Sequence, residues 1–381
     1  MNYAGNGRNV SYEGKSYARA SANRGPSLPF VVLLAFLVGL LVGVISFGIF
    51  LYTKIERKDP PPSVESTENA ETTADAEHVA VVYPSAPSRD SYLLSENGVE
   101  INGESISAAS AILVSLKDYA VQASLAPDTK IYPASMTKIM TLIVACENIQ
   151  DASVMLEINE RVFDACRKAG APTIASTPSG SNAYLYPDSY TATALLYGVG
   201  VISAADAAVT LAEHIFGSEE AFVDKMNEKV RELGLTGTHF SNCTGLDDED
   251  NYSTVREIAI ILAYALDNEF CKTILSTESI SVVAHYTDGE GIKKTYNRFL
   301  SNTLLERLKG AGYTQKLPVK LPSGLTLVGG KTGYTDEGKY CLATFARDAE
   351  GNLYIAVTAA SPRMAGSATD TNAVYGYAVK E

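Results

Sequence analysis

A serine and a lysine stand three positions apart, as Ser135 and Lys138, in the stretch "PASMTKIM". The apolar spacing that follows predicts a helix over 135–149, and side chains at i and i+3 share one helix face. A serine hydroxyl becomes a nucleophile when a neighbouring base takes its proton, and lysine can be that base when its pKa is lowered. The N–H groups at a helix N-terminus could also hold an oxyanion. The pair therefore suggests covalent catalysis, although both residues are also common on surface helices.

Two more motifs follow in order along the chain. Ser203 lies in the turn predicted between the helices "TATALLYGVG" and "AADAAVTLAEHIF", and the triplet "KTG" at 331–333 opens a predicted strand. A lysine brought close to Lys138 would supply a cation that lowers its pKa. The order Ser-x-x-Lys, Ser-x-x, Lys-Thr-Gly resembles the penicillin-recognising serine transpeptidase and β-lactamase superfamily. With "GLTGTHFSNCTGLDDEDNYSTVREIAI" and "GGKTGYTDEGKYCLATFARD", residues 100–380 are similar to the low-molecular-weight D-alanyl-D-alanine carboxypeptidases.

This resemblance implies a role for each motif. The substrate would be the stem pentapeptide of peptidoglycan, β-lactams would be covalent inhibitors, and no metal or cofactor would be needed. Ser135 would be the acylated nucleophile, Lys138 its base and Ser203 a proton shuttle toward the leaving D-alanine. The N–H groups of Ser135 and Tyr334 would form the oxyanion hole. Residues of the "KTG" strand would bind the substrate, with the first two holding its terminal carboxylate: Lys331, Thr332, Gly333 and Tyr334.

The middle motif departs from the family. The family has Ser-x-Asn there, whereas this chain has Ser203-Ala204-Ala205. Loss of that carboxamide, which would bind the substrate backbone and the lysine, is expected to cost ~1–3 kcal/mol, or roughly 5- to 150-fold in rate. A slowed enzyme is therefore expected, and a non-catalytic peptidoglycan-binding module on the same fold is the alternative. The β-lactamase branch is disfavoured because residues 160–190 contain no ExxLN-type loop for a deacylating water.

The elements around these motifs predict an α+β fold. A hairpin is predicted over 109–124, amphipathic helices over 221–234 and 253–267, and two antiparallel strands over 339–348 and 353–361. A short helix is expected after Ser361. Strands, then a block of helices, then strands indicate an antiparallel sheet with a separate helical cluster. This is also the expectation from the resemblance, a penicillin-recognising transpeptidase/β-lactamase-like fold preceded by one transmembrane helix.

Composition narrows the function classes. A formal net charge of −13 without basic runs argues against a nucleic-acid partner. The five cysteines lack paired metal-type spacing and are expected to be buried free thiols. No serine stands in a GxSxG motif, so a Ser-His-Asp hydrolase is disfavoured.

"DDEDN" at 247–251 lacks the glycine and glutamate of a calcium loop and predicts a solvated turn. Asn242 and Gly245 match the family's loop and are expected to shape a turn.

The N-terminal quarter predicts a membrane anchor. Residues 29–52 are apolar and uncharged, long enough to cross a hydrocarbon core of about 30 Å, and no cleavage site follows them. We therefore predict a cytoplasmic tail over 1–28, an uncleaved signal anchor over 29–52, a flexible acidic linker over 53–91 rich in Pro, Ser and Thr, and a carboxypeptidase-like domain over 92–381. The predicted location is a bacterial cell membrane, single-pass, with the catalytic domain outside.

Overall fold

The structure is a computed structural model that describes residues 92, 94–95, 98–175, 188–288, 290–314 and 316–378. All described residues belong to one compact unit, His78–Glu381. The predicted tail, the anchor and the linker lie outside the described residues, so these boundaries stay predictions. Within the described ranges, no helix has both the length and the apolar character needed to cross a bilayer.

The larger of two sheets has seven strands, in the order β1-β3-β2-β11-β10-β9-β8. Its strands are β1 (Val99–Glu100), β2 (Ser110–Ser115), β3 (Ala120–Leu125), β8 (Val319–Lys320), β9 (Thr326–Thr335), β10 (Lys339–Arg347) and β11 (Leu353–Ser361). The predicted hairpin over 109–124 and the two C-terminal strands are confirmed. The prediction of a wholly antiparallel sheet is wrong at one edge, because β1 pairs with β3 in parallel. A two-residue strand carries no alternating pattern from which its direction could be predicted.

A second, smaller sheet has the order β4-β5-β6-β7 and was not predicted. Its strands are antiparallel neighbours: β4 (Met155–Glu157), β5 (Ser189–Thr191), β6 (Ser279–Thr287) and β7 (Lys293–Ser301). The hairpin of β6 and β7 is half exposed. In β6 the less exposed positions alternate with exposed ones, as in a strand with one face on the core, whereas β7 is mostly polar and carries a weaker pattern.

Nine helices lie among the described residues, and most of them lie along the chain between β3 and β8. They are α1 (Lys138–Asn148), α2 (Glu160–Lys168), α3 (Ala192–Val201), α4 (Ala205–Phe216), α5 (Glu219–Glu232), α6 (Val255–Asp267), α7 (Glu269–Ser276), α8 (Thr303–Gly310) and α9 (Met364–Tyr375). The predicted helical cluster and the helix after Ser361 are confirmed. The α+β architecture is therefore correct.

The larger sheet is buried on both faces. Ile112 and Val114 of β2 belong to the core shared with the helices from α1 to α7, whereas Ala111 and Leu113 face the core shared with α8 and α9. This follows from the two-residue period of a strand. Helix α1 is buried on all sides from Lys138 to Cys146, as expected for a helix in the centre of a domain. The position of α1 therefore takes Lys138 out of water.

Two details of the motifs differ from prediction. Ser135 lies in a 3₁₀ turn, Ala134–Thr137, that precedes α1, rather than in the α-helix itself. "KTG" does not open its strand, because β9 begins at Thr326. The two glycines before the motif are unfavourable in a strand, so the sequence did not indicate that the strand begins before them. A Cβ on Gly329 would lie 2.3 Å from the Leu275 carbonyl oxygen, so glycine here permits close backbone contact.

Candidate active site

Ser135 and Lys138 are hydrogen-bonded neighbours. The Lys138 Nζ lies 3.1 Å from the Ser135 Oγ and also donates to the Thr244 carbonyl. Only 1% of Lys138 is exposed, whereas Ser135 is half-buried. Burial lowers the pKa of Lys138 to about 8 because the charged ammonium loses its water. An appreciable fraction of the amine is thus neutral near neutral pH and able to accept the serine proton.

The Thr244 carbonyl is held by a turn that Asn242 organises. The Asn242 Oδ1 accepts hydrogen bonds from the Gly245 N–H at 2.7 Å and from the Thr244 N–H at 3.1 Å. Gly245 has φ of +75°, and a Cβ there would lie 2.0 Å from the Ala134 carbonyl oxygen. The expectation that Asn242 and Gly245 shape a turn is confirmed. This turn packs against the residue before Ser135.

A second serine and lysine form a deeper pair. The Lys331 Nζ donates to the Ser203 Oγ at 2.9 Å and to the Thr332 carbonyl at 2.9 Å. Ser203 is 4% exposed and Lys331 is 1% exposed. Burial, followed by repulsion from Lys138 and Arg307, holds the pKa of Lys331 well below its ordinary value. The sequence allowed burial or a neighbouring cation as the cause of a lowered Lys138 pKa. In the structure burial lowers it, whereas the neighbouring cations lower the pKa of Lys331.

The strand that carries "KTG" is supported by α8. The hydroxyl oxygens of Thr303 and Thr332 lie 2.7 Å apart, and Arg307 donates to the Gly333 carbonyl at 3.0 Å. Tyr334 is 48% exposed at the end of the motif. The strand thus presents a threonine, a glycine and an exposed tyrosine in succession at one side of the site.

An open cleft of about 420 Å³ joins these elements. Its lining includes Ser135, Lys138 and Tyr334, with the turn at Thr244 to Asp247 and the segment from Ala169 to Pro172. Ser203 and Lys331 are buried and do not line it. The structure therefore brings all the predicted site residues into one region and places only the first serine on an open surface.

Ala205, at the position where the resemblance predicts an asparagine, is fully buried at the start of α4. Its N–H donates to the Pro172 carbonyl at 2.8 Å, and the Asp206 carboxylate accepts from the N–H groups of Ile174 and Ala175. Burial raises the pKa of Asp206 to about 6. The first turn of α4 therefore anchors the segment that forms one wall of the cleft.

Three contributors to the site were missed by sequence reasoning: the Thr244 carbonyl, Thr303 and Arg307. A main-chain oxygen leaves no signature in residue type. Thr303 and Arg307 stand four apart, a helical spacing that places them on one face of α8, but the sequence does not show which strand that face meets. The prediction of buried free cysteines is confirmed for all five.

Comparison with known proteins shows the family of this chain. The pattern of the D-alanyl-D-alanine carboxypeptidase family matches residues 97–361. The D-alanyl-D-alanine carboxypeptidase DacF of Bacillus subtilis is 33% identical over 250 residues, which cover 65% of this chain and 55% of that protein. A D-alanyl-D-alanine carboxypeptidase of Streptomyces strain K15 is 29% identical over 266 residues, covering 67% of this chain and 81% of that protein. The chain thus spans about half the length of the first of these relatives.

Solved structures show the same fold. The crystal structure of the Streptomyces K15 DD-transpeptidase superposes with a TM-score of 0.59 at 25% identity, covering 73% of this chain and all of that one. The protein has the penicillin-recognising DD-peptidase fold. With residues 97–361 matched, the chain belongs to the D-alanyl-D-alanine carboxypeptidase family, whose members are serine hydrolases.

Proposed function

We propose that this protein is a serine-type D-Ala-D-Ala carboxypeptidase that removes the terminal D-alanine from peptidoglycan stem pentapeptides. The observation that carries the proposal is the half-buried Ser135 in an open cleft, 3.1 Å from a buried lysine whose pKa is about 8. A hydroxyl with access to substrate and a partly neutral amine beside it are the two requirements for an activated serine.

Acylation follows from this geometry. The Ser135 Oγ attacks the carbonyl carbon between the two D-alanines while its proton passes to the neutral Lys138 Nζ. The carbonyl oxygen becomes an oxyanion, for which the N–H groups of Ser135 and Tyr334 are the proposed donors. Collapse breaks the C–N bond and leaves an ester on Ser135. The leaving amine takes up the proton that Lys138 received, which we assign to delivery through Ser203, and Lys138 is neutral again.

Deacylation completes the cycle. A water gives a proton to Lys138 and adds to the ester carbonyl, and the second collapse breaks the bond to the Ser135 Oγ, which recovers its proton. Substrate is held for both steps by Lys331 and Thr332, which we assign to the terminal carboxylate. The hydroxyl of Thr332 is already positioned by its contact with Thr303.

The test is release of D-alanine from a pentapeptide ending in D-Ala-D-Ala, together with intact-protein mass spectrometry after incubation with a penicillin. The full chain should release D-alanine and gain one penicillin mass, and Ser135→Ala should do neither. Ser281→Ala, on the exposed strand β6, is the matched control and should behave as the unchanged protein. An adduct that persists in Ser135→Ala would refute the assignment of the nucleophile.

The alternative function is peptidoglycan binding without turnover, and Ala205 is the observation that favours it. The two functions separate in the same experiment. A module that only binds would retain the pentapeptide in an equilibrium assay but form no penicillin adduct and release no D-alanine.

We also propose a single-pass membrane anchor at 29–52 with the catalytic domain outside the cell. The uncharged run of the sequence and the extracytoplasmic position of peptidoglycan support this. Protease added to wall-stripped cells should release the catalytic domain by cleavage in the linker at 53–91. Full protection, with a cleaved external control protein, would place the domain on the other side.

A further inference from the structure

Arg307 is a buried cation whose contacts are unusual. It is 7% exposed, yet within the described part of the chain no carboxylate lies within ion-pair distance of it. Its guanidinium donates to the Gly333 carbonyl at 3.0 Å and to the Ser367 Oγ at 3.3 Å. Burial of a guanidinium without a counter-ion is costly. A buried arginine without a carboxylate partner therefore calls for a functional explanation.

The Gly333 carbonyl belongs to a peptide unit of the proposed site. The Gly333–Tyr334 bond is trans, and the C=O and N–H of a trans peptide point in opposite directions in one plane. The N–H at the other end of this unit is that of Tyr334, the proposed oxyanion donor. A hydrogen bond to the carbonyl from a charged donor polarises the peptide and makes its N–H a stronger donor.

We infer that Arg307 is a positioning residue for the oxyanion hole: by binding the Gly333 carbonyl it orients the peptide that carries the Tyr334 N–H and strengthens that N–H as a donor. The inference rests on the proposed function, since it assigns a cause to the strength of a donor that acylation would use. Arg307 itself does not contact the substrate.

The surroundings of Arg307 fix its direction. Its guanidinium carbon lies 4.6 Å from the centre of the Tyr340 ring, which in turn packs 4.4 Å from the ring of Tyr334. Thr303, four residues earlier on α8, contacts Thr332 at 2.7 Å. One face of α8 thus forms hydrogen bonds with two consecutive residues of the "KTG" motif. A planar guanidinium stacked on an aromatic ring has few alternative orientations.

A rival role for the charge is attraction of the substrate's terminal carboxylate. The two roles affect different constants. A contribution to the oxyanion hole acts only once charge develops on the carbonyl oxygen, so its loss lowers the acylation rate constant and leaves substrate affinity unchanged. Loss of a carboxylate attractor would weaken binding and leave the rate constant unchanged.

The test uses the full chain with Arg307→Met, Arg307→Lys and Arg307→Gln, and a penicillin labelled with ¹³C at its β-lactam carbonyl. Stopped-flow measurements give the dissociation constant and the acylation rate constant separately. Infrared difference spectra give the stretching frequency of the labelled ester in the acyl-enzyme, which falls as the hydrogen bonds to its oxygen strengthen. Arg256→Met is the matched control, because Arg256 is half-buried but pairs with Asp128 away from the cleft.

We expect Arg307→Met to acylate about tenfold more slowly, less than the 10²–10³ lost when a donor is deleted, because the Tyr334 N–H is still present. Its ester band should move to higher frequency, with the Lys variant between it and the unchanged protein and with dissociation constants preserved. Arg256→Met should leave both readouts unchanged. If Arg307→Met fails to fold, the Lys and Gln variants supply the same two readouts with smaller shifts.

Two results would overturn the inference. One is an unchanged ester band in folded Arg307 variants, which would leave Arg307 with a purely structural role. The other is a higher dissociation constant for penicillin with an unchanged acylation rate constant, which would mean that Arg307 attracts the substrate carboxylate. Failure of the proposed function is distinguishable from both, because the unchanged protein would then form no acyl-enzyme at all.

Discussion

The site contains two serine–lysine pairs that are chemically alike and differently placed. The Nζ–Oγ distances are 3.1 Å for Lys138 with Ser135 and 2.9 Å for Lys331 with Ser203, and both lysines are 1% exposed. Pairing and the burial of the lysine partner therefore do not tell the two serines apart. Their own exposure does, because Ser135 is half-buried and lines the cleft, whereas Ser203 is 4% exposed and does not line it.

The pairs also differ in how they are assembled. Ser135 and Lys138 are three residues apart, so local helix geometry brings them together. Ser203 and Lys331 are 128 residues apart and meet only because the fold brings the segment before α4 next to β9. The first pair should therefore tolerate distant changes that disturb the second. We infer that Ser135 and Lys138 carry out the attack, whereas Ser203 and Lys331 supply positive charge and deliver protons beside them.

The largest expected effect separates the two serines directly. Ser135→Ala should abolish the penicillin adduct, because no other hydroxyl of the pairs is open to the cleft. Ser203→Ala should still form the adduct but about 10²-fold more slowly, the range for loss of a group that transfers protons. Rapid-quench mass spectrometry measures both rates. Equal loss in the two variants would contradict the division of roles.

The next prediction concerns the turn that holds the second partner of Lys138. Gly245→Ala places a Cβ 2.0 Å from the Ala134 carbonyl oxygen, at the peptide that carries the Ser135 N–H. We expect the free energy of unfolding to fall by about 2–5 kcal/mol and acylation to slow by about 10²-fold, because both strain and displacement of an oxyanion donor result.

Gly217→Ala is the control for this turn. Gly217 has φ of +86°, but nothing lies within 4 Å of its added Cβ. Gly217→Ala should lower the free energy of unfolding only by the backbone strain, about 1–2 kcal/mol, and leave the acylation rate unchanged. Denaturant unfolding and stopped-flow acylation measure the two quantities. If both variants slow acylation equally, the effect is not specific to the contact with Ala134.

A pH profile should identify which lysine is the base. Attack requires neutral Lys138, whose pKa is about 8. The acylation rate should therefore rise about tenfold per pH unit below pH 8 and become level above it. The pKa of Lys331 is also held well below its ordinary value, by burial and by the cations Lys138 and Arg307. The profile should be measured with a β-lactam whose own groups do not titrate in this range.

The matched variant for the profile is Lys138→Met, which should lose both most of the rate and the limb near pH 8. The buried Asp206 titrates near pH 6 and belongs to a separate, lower limb. A limb near pH 8 that survives in Lys138→Met would assign it to another group and would weaken the case for Lys138 as base.

The two pairs also show what a sequence can predict. Ser135 with Lys138 was predictable because i and i+3 meet in any helical turn, even in the 3₁₀ turn that replaced the expected α-helix. Ser203 with Lys331 was predicted only through a family resemblance, since no local rule joins residues so distant. The Thr244 carbonyl and Arg307 were missed because their contacts depend on which loop and helix face pack against the site. The smaller sheet was missed because β4 and β5 have only three residues each and β7 is mostly polar, so β6 had no recognisable partner in the sequence.

The smallest expected effect is at Ala205, two residues beyond the deeper serine. Ala205→Asn would introduce the amide that the resemblance predicts here for orienting substrate and lysine. One gained hydrogen bond of ~1–2 kcal/mol should raise acylation by roughly tenfold. Ala205 is fully buried, so the larger side chain should also destabilise the protein by about 1–3 kcal/mol. The two effects have different readouts: stopped-flow acylation by a chromogenic β-lactam for the first and denaturant unfolding for the second.

A double variant tests the origin of the gain. In Ala205→Asn combined with Ser135→Ala the gain should vanish, because the amide assists a reaction that it cannot start. If the folded Asn variant acylates no faster, the space beside Ser203 has closed around the alanine, or another group has taken over the role of the amide. The deeper pair would then contribute to the site without the family's third partner, and Arg307 and Thr303 on α8 would be the remaining identified contacts that position the "KTG" strand for catalysis.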